Sequence, residues 1–145
     1  MLVHLMRLKE ISCVAAVFTA FLTIVARAGA QAFPDAGVVH QLLRQPFSDR
    51  PGMDVVVITV DYPPGGATPP HEHPGYVYAY VLQGTMVSKL DNQKTQTYTK
   101  GQMWSELPNE QHMIARNASA TKPAELLVFF IIPHGAKLIE FLPPP

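Results

Sequence analysis

Two histidines separated by one residue, His71 and His73, lie in the stretch HEHPGYVYAYVLQG at residues 71 to 84. On an extended strand, residues i and i+2 point to the same face, so both imidazoles are expected to face one point. Prolines on both sides of the pair disfavour a helix there. A third histidine, His112, follows in LPNEQHMIARN. Three imidazoles from two strands can hold a divalent transition metal and leave coordination positions open.

A carboxylate would be a usual fourth ligand, but the residues that follow the pair are tyrosine, valine and alanine. Glu72 lies between the two histidines and is expected to point away from them. Glu106 precedes His112 on a predicted strand, and it is the candidate fourth ligand or general base if its side chain faces inward. The alternative is a strand-end glutamate whose oxygens bind backbone or water. We take Glu106 as the candidate catalytic residue.

Nucleophilic catalysis finds no support in the sequence. There is no glycine-rich phosphate loop, and no G-x-S-x-G nucleophile elbow is present. The one cysteine, Cys13, lies near the N-terminus, far in sequence from the histidines. The sequence therefore favours a metal-centred reaction or no reaction.

Other chemistry-bearing residues have simpler interpretations. His40 and His134 are expected to be surface or strand-end histidines outside the metal cluster. Met103, Trp104 and Met113 are expected either to line the pocket, since small-molecule sites have apolar walls, or to pack in the core.

Composition limits the class of partner. The chain has 145 residues and a formal net charge of zero, from 11 basic and 11 acidic residues. The basic residues are not clustered, which argues against a nucleic-acid partner. Hydrophobic residues make up 48% of the chain, too many for a disordered protein. Fourteen prolines and nine glycines favour turns and short strands.

The first 30 residues have the order of a secretory signal peptide. Arg7 and Lys9 precede an apolar run at residues 11 to 25, and Ala28 and Ala30 form an A-x-A pattern after it. The run is shorter than the ~20 residues that span a bilayer. We predict cleavage near Ala30 and a periplasmic or secreted protein with no membrane segment afterwards. An uncleaved N-terminal anchor is the alternative.

The remaining chain, residues 31 to 145, shows strands between turns and no sustained helical period. Even spacing of short strands predicts an all-β sandwich or barrel, with a jelly roll among the choices. The proline-rich C-terminal tail, PHGAKLIEFLPPP, is expected to pack along the outside or on a second subunit. Eight strands are predicted, at residues 38–44, 53–62, 75–84, 85–90, 95–99, 101–107, 112–117 and 124–132.

Two spaced motifs surround the histidines. The first consists of Gly65 or Gly66, His71, His73 and Gly84, and the second consists of Gly101, Pro108, His112 and Asn117. These motifs resemble those of the cupin superfamily, and of its small type-2-like members in particular, over about residues 50 to 133. The resemblance implies a single-domain double-stranded β-helix, a jelly-roll barrel from about residue 36 to 133, with a metal pocket inside. It also implies a homodimer.

The sequence departs from the family pattern at one ligand. Counting back seven residues from Gly84 places the family's glutamate at Val77, which cannot bind a metal. Strand alternation puts Val77 on the histidine face, unless a bulge at Gly75 turns Tyr78 inward instead. Three neutral histidines would leave the full +2 charge on the metal, which favours an anionic ligand or bound hydroxide.

The resemblance and the residues together predict an exported cupin that binds Fe, Mn, Zn, Ni or Cu through His71, His73 and His112. Two function classes stay open. The protein could be a metal-dependent dioxygenase or isomerase/lyase acting on a small organic molecule. The alternative is a cupin that binds a metal or small ligand and catalyses nothing, because this fold hosts many functions.

Overall fold

The computed structural model describes residues 36 to 144. The predicted signal peptide and its cleavage site lie outside the described residues. No helix within residues 36 to 144 has the length and apolar character needed to cross a membrane.

Eleven β-strands form the described part of the chain, and the expected all-β class is confirmed. The eight predicted strands are present with small shifts at their ends. Three two-residue strands, β3, β4 and β11, were not predicted, because two residues are too few to show an alternating pattern. The strands are β1 (Val38–Pro46), β2 (Met53–Tyr62), β3 (Ala67–Thr68), β4 (His71–Glu72), β5 (Tyr76–Gln83), β6 (Thr85–Leu90), β7 (Gln96–Thr99), β8 (Met103–Glu106), β9 (His112–Asn117), β10 (Ala124–Pro133) and β11 (Glu140–Phe141).

The strands make two antiparallel sheets. One has the order β1-β2-β10-β5-β8, and the other has the order β11-β4-β9-β6-β7, with β3 added beside β9. Side chains alternate between the two faces of a strand, so every second residue of β2 and β10 is buried. Buried residues of both sheets form one hydrophobic core, to which Val56, Phe130 and Met86 belong.

The alternation along β5 decides which residues face the histidines. Val77 is buried, and Tyr76 and Tyr78 are each about two-fifths exposed. The predicted parity is therefore correct, and no bulge turns Tyr78 inward. Gly75 serves a different purpose, because a Cβ there would collide with the backbone carbonyl of Ile131. The missing side chain lets β5 approach β10 closely.

The C-terminal tail packs on the barrel of its own chain. In β11, Glu140 pairs with Glu72 and Phe141 pairs with His71. The backbone N–H of Leu142 donates to the carbonyl of Pro70 at 2.9 Å. Of the two expected positions for the tail, the structure shows contact with the same chain, directly beside the strand that begins with His71.

A buried aspartate joins β1, β2 and the turn after β10. Asp54 is only 2% exposed. Its carboxylate accepts hydrogen bonds from Arg44 Nε at 3.0 Å, His134 Nδ1 at 2.7 Å and the backbone N–H of Gly135 at 3.2 Å. The hydrogen bond from His134, followed by that from Gly135, lowers the pKa of Asp54 below its ordinary value. His134 therefore has a structural partner outside the metal cluster.

Candidate metal centre

The structure brings His71, His73 and His112 together. His71 begins β4 and His112 begins β9, and the two are direct cross-strand partners. His73 directly follows Glu72, the last residue of β4. The His71 ring centroid lies 4.9 Å from that of His73 and 5.0 Å from that of His112. One nitrogen from each ring lies within 4.8 Å of the other two, and all three residues are buried. These three histidines could hold one metal ion.

Backbone carbonyls orient two of the rings. His71 Nδ1 donates to the carbonyl of Pro69 at 2.6 Å, and His73 Nδ1 donates to the carbonyl of Leu138 at 2.5 Å. A carbonyl only accepts, so the proton of each neutral ring is held on Nδ1 and the lone pair stays on Nε2. This is the tautomer and orientation that a metal-binding histidine needs.

His112 is held through its other nitrogen. Its Nε2 lies 2.8 Å from Ser88 Oγ, and its Nδ1 lies 3.2 Å from Glu106 Oε1. A serine hydroxyl can either accept or donate. When His112 donates from Nε2 to Ser88, the lone pair of Nδ1 is directed to the side of Glu106 and the cluster. Ser88 is thus the outer partner that can fix the metal-binding tautomer of His112.

Glu106 is buried within the same cluster, at 3% exposure. Its Oε1 accepts a hydrogen bond from Trp104 Nε1 at 2.9 Å. Its Oε2 lies 3.6 Å from His73 Nε2 and has no hydrogen-bond partner among residues 36 to 144. A buried carboxylate oxygen without a partner is costly, so this oxygen indicates a site for a cation or a donor group.

The charge states fit a metal site. Burial, followed by the charges of His112 and His73, lowers the pKa of His71 to about 4. Burial also lowers the pKa of His73. Burial alone would raise the pKa of Glu106, but the hydrogen bond and charge of His112, the charge of His73 and the bond from Trp104 lower it to about 2. Near neutral pH, these two imidazoles are neutral and the carboxylate is ionised, as metal binding requires.

A cavity of about 340 Å³ adjoins the histidines. Its walls are mostly apolar side chains from both sheets. The polar groups besides the cluster are Trp104, Tyr62 and Thr68, and the last two share a hydrogen bond of 2.7 Å. Within the described residues, no lysine or arginine lines the cavity, and Glu106 is its only carboxylate. The tail closes one part of the wall with Leu138, Ile139 and Phe141.

Some expected site residues lie elsewhere. Trp104 lines the cavity, but Met103 and Met113 are 53% and 37% exposed and do not. The expectation that these two methionines could line the pocket or pack in the core is therefore wrong, because strand alternation turns them outward. Glu72 pairs with β11 and is not part of the cavity wall. His40 pairs with Asp61 at the surface, away from the cluster as expected.

Two residues that orient the histidines were not identified from the sequence. Ser88 is a buried serine at an inward position of β6, and a polar residue among inward apolar ones was the available indication. Leu138 acts through its backbone carbonyl, which no sequence pattern marks. Its role depends on the path of the tail.

A closed pair of antiparallel sheets around three buried histidines is the arrangement of a metal-binding jelly roll. A family model, the cupin domain (Cupin_2), matches residues 58–130, which is half of the chain. The protein therefore belongs to the cupin family. The curated proteins contain no significant match to this sequence.

Solved structures agree on the fold. A double-stranded β-helix protein from Klebsiella pneumoniae is 19% identical, with a TM-score of 0.58 over 75% of this chain and 86% of that one. A cupin-like protein from Thermotoga maritima is 22% identical, with a TM-score of 0.57 over 72% and 74%. The DMSP lyase DddQ from Ruegeria pomeroyi is 21% identical, with a TM-score of 0.61 over 79% of this chain. This chain covers only 55% of the lyase. At these identities the likeness shows the double-stranded β-helix fold alone.

Proposed function

We propose that the protein binds one divalent transition metal through His71, His73 and His112, and that the loaded pocket acts on a small, uncharged, largely apolar molecule. The observation that carries the proposal is the cluster itself. Three buried imidazoles converge, and each has an outer hydrogen-bond partner on one nitrogen. A buried carboxylate oxygen beside them lacks a partner within the described part of the chain.

The metal would supply Lewis acidity and open coordination positions for the oxygen or nitrogen atoms of a substrate. The chain supplies the rest. Pro69, Leu138 and Ser88 orient the three rings, and the apolar walls exclude water from the reacting molecule.

The cavity wall supports the choice of substrate class. Apart from the metal itself, the described wall offers no lysine or arginine that would neutralise a free carboxylate or phosphate. A volume of about 340 Å³ is at the small end of ligand pockets. These features favour a small hydroxylated aromatic molecule over a sugar acid. A metal-dependent dioxygenase or an isomerase/lyase fits such a pocket, and a non-catalytic ligand-binding cupin is the alternative.

The first experiment measures metal content and ligand binding. Purified protein should contain about one metal per chain by elemental analysis. His73→Ala should abolish this content, whereas His40→Ala, which changes an exposed histidine outside the cluster, should retain it. At a metal concentration 100 times Kd, the native protein should gain about 2.7 kcal/mol of stability that the His73 variant does not gain. Full stoichiometric binding by His73→Ala would refute the site.

The second experiment tests the substrate class and catalysis. Metal-loaded protein is titrated with catechol and with a matched catechol carrying a carboxylate. Tighter binding of the uncharged compound is expected, and preference for the carboxylated one would contradict the proposal. Turnover of a bound compound, with or without consumption of oxygen, distinguishes an enzyme from a binding protein.

Export is a separate proposal, supported by the order of charges, apolar run and small residues in the first 30 positions. Mass spectrometry of the exported protein should find its N-terminus near residue 31. An intact Met1 in exported material would indicate an anchor.

A further inference from the structure

We propose that Glu106 supplies the carboxylate ligand that the first cupin motif lacks at position 77, so that the ligand has moved to the neighbouring strand. This inference rests on the proposed metal site. The motivating observation is the strand register, in which Val77 of β5 and Glu106 of β8 are direct cross-strand partners.

Because of this register, a side chain at either position can reach the same region beside the histidines. Val77 and Glu106 are both buried, so their side chains occupy the inward face of the same sheet. The Cβ atoms of directly opposed residues on one face are ~4.5–5.5 Å apart. A glutamate side chain is flexible enough to bridge this separation, so a carboxylate from either strand can reach the same region beside the histidines.

The unpartnered oxygen is the second, independent observation. Glu106 Oε1 is fixed by the N–H of Trp104, which leaves Oε2 as the oxygen available to a metal. That oxygen lies 3.6 Å from His73 Nε2, the nitrogen whose lone pair the Leu138 hydrogen bond leaves free. Three imidazole nitrogens and one carboxylate oxygen form a donor set that suits divalent first-row metals.

The charge of the site supports the same assignment. With three neutral histidines alone, a divalent ion would retain a charge of +2 and would favour anions. An ionised Glu106 ligand reduces this charge to +1. A less positive centre agrees with a cavity wall that has no lysine or arginine in the described residues.

Glu106 could instead act as a general base or as an outer partner of His112, and in either role it would not bind the metal. Metal affinity alone does not distinguish a ligand from an outer partner, because loss of an outer partner also lowers affinity by about 10–100-fold. The experiment therefore compares Glu106→Gln with the double variant Val77→Glu/Glu106→Val. Glu125→Gln is the matched control, because Glu125 lies on β10 outside the cavity wall.

Each variant is titrated with Co²⁺ against a competing chelator, and its visible absorption spectrum is recorded. Glu106→Gln should weaken Co²⁺ binding at least about tenfold and alter the spectrum, in line with the loss of a ligand. The double variant should recover most of the affinity and the native spectrum, because it returns a carboxylate to the same region. Glu125→Gln should match the native protein in both.

Three results would overturn the assignment. Native affinity in Glu106→Gln would remove any role at the metal. Weaker binding with an unchanged spectrum would make Glu106 an outer partner of His112. A folded double variant, checked by circular dichroism, that recovers neither property would place the carboxylate off the metal. If the native protein itself binds no Co²⁺, the proposed function fails, and that outcome is distinct from all three. If the double variant does not fold, the spectrum of Glu106→Gln decides alone.

Discussion

The hydroxyl group of Ser88 can determine which ring nitrogen of His112 carries the proton. His112 has contacts on both ring nitrogens, to Ser88 and to Glu106, so its tautomer depends on which contact takes the proton. When the Ser88 hydroxyl accepts a hydrogen bond from the Nε2–H group, the lone pair of Nδ1 is free to bind a metal. The same residue pair thus links an inward position of β6 to the first residue of β9.

Ser88→Ala should weaken divalent metal binding by about 10–100-fold, because loss of an outer hydrogen bond to a ligating histidine costs this much. The variant should remain folded, since the change removes one hydroxyl from a buried position. Chelator competition measures the affinity, and Ser105→Ala, at an exposed position of β8, is the control. Unchanged affinity in Ser88→Ala would show that His112 does not need this partner.

The sequence predicted the histidine positions at this scale, but not the source of the carboxylate. H-x-H on extended chain determines a shared face, because the period of a strand is two. Glu106 has no second candidate ligand on its strand. Whether its side chain faces inward depends on the pairing of β8 with β5, which is a non-local property. A carboxylate added at Val77 alone would lie opposite Glu106, and two buried carboxylates there would repel each other.

Among the structural elements, the C-terminal tail forms part of the candidate metal centre. Strand β11 pairs with β4, and the carbonyl of Leu138 holds His73. The eight longer strands were predictable from alternation and turn residues. The destination of the tail was not, because a two-residue strand shows no period and its partner lies about 70 residues away in sequence.

Removal of residues 138–145 should therefore weaken metal binding and open the cavity to solvent. The truncated protein loses the acceptor for His73 and the apolar wall formed by the tail. Removal of residues 143–145 alone is the control, because it keeps β11. Metal affinity by chelator competition should fall at least about tenfold in the longer truncation only. Equal affinity in the two truncated proteins would contradict a role for the tail.

The Asp54 cluster predicts a pH dependence of folding. The folded state lowers the pKa of Asp54 below its ordinary value of 3.8, so the folded state favours the ionised form. The resulting stabilisation is complete above the unfolded pKa and is lost as the pH falls through the lower, folded pKa.

Denaturant unfolding should therefore show Asp54→Asn less stable than the native protein, with a constant difference above about pH 5 that shrinks below about pH 4. Asp61→Asn, at an exposed position, should show a much smaller difference. A difference for Asp54→Asn that does not change with pH would refute the assignment.

In the molecule as a whole, the outer face of the five-stranded sheet carries an exposed and mostly apolar patch across β10, β5 and β8. Tyr78 lies beside Phe129 of β10, and Tyr80 lies between Leu127 and Met103 on neighbouring strands. Tyr76 extends the same row of exposed rings along β5. Contiguous exposed apolar side chains of this kind are typical of protein interaction surfaces, and aromatic residues are enriched at them.

We propose a second copy of this chain as the partner of that face, in keeping with the homodimer that the cupin resemblance implies. A two-fold interface uses the same patch on both subunits, so one substitution changes both sides of the contact. Tyr78→Lys should therefore place two charges in the interface and shift the protein to monomers, as measured by light scattering during size-exclusion chromatography at several concentrations.

Thr97→Lys, on the exposed face of β7 in the other sheet, adds the same charge away from the patch and should leave the mass unchanged. Metal content should be equal in both variants, because the metal cluster faces the interior of each barrel. A native protein that is monomeric at every concentration, or a Tyr78→Lys variant that stays dimeric, would remove this face as the interface.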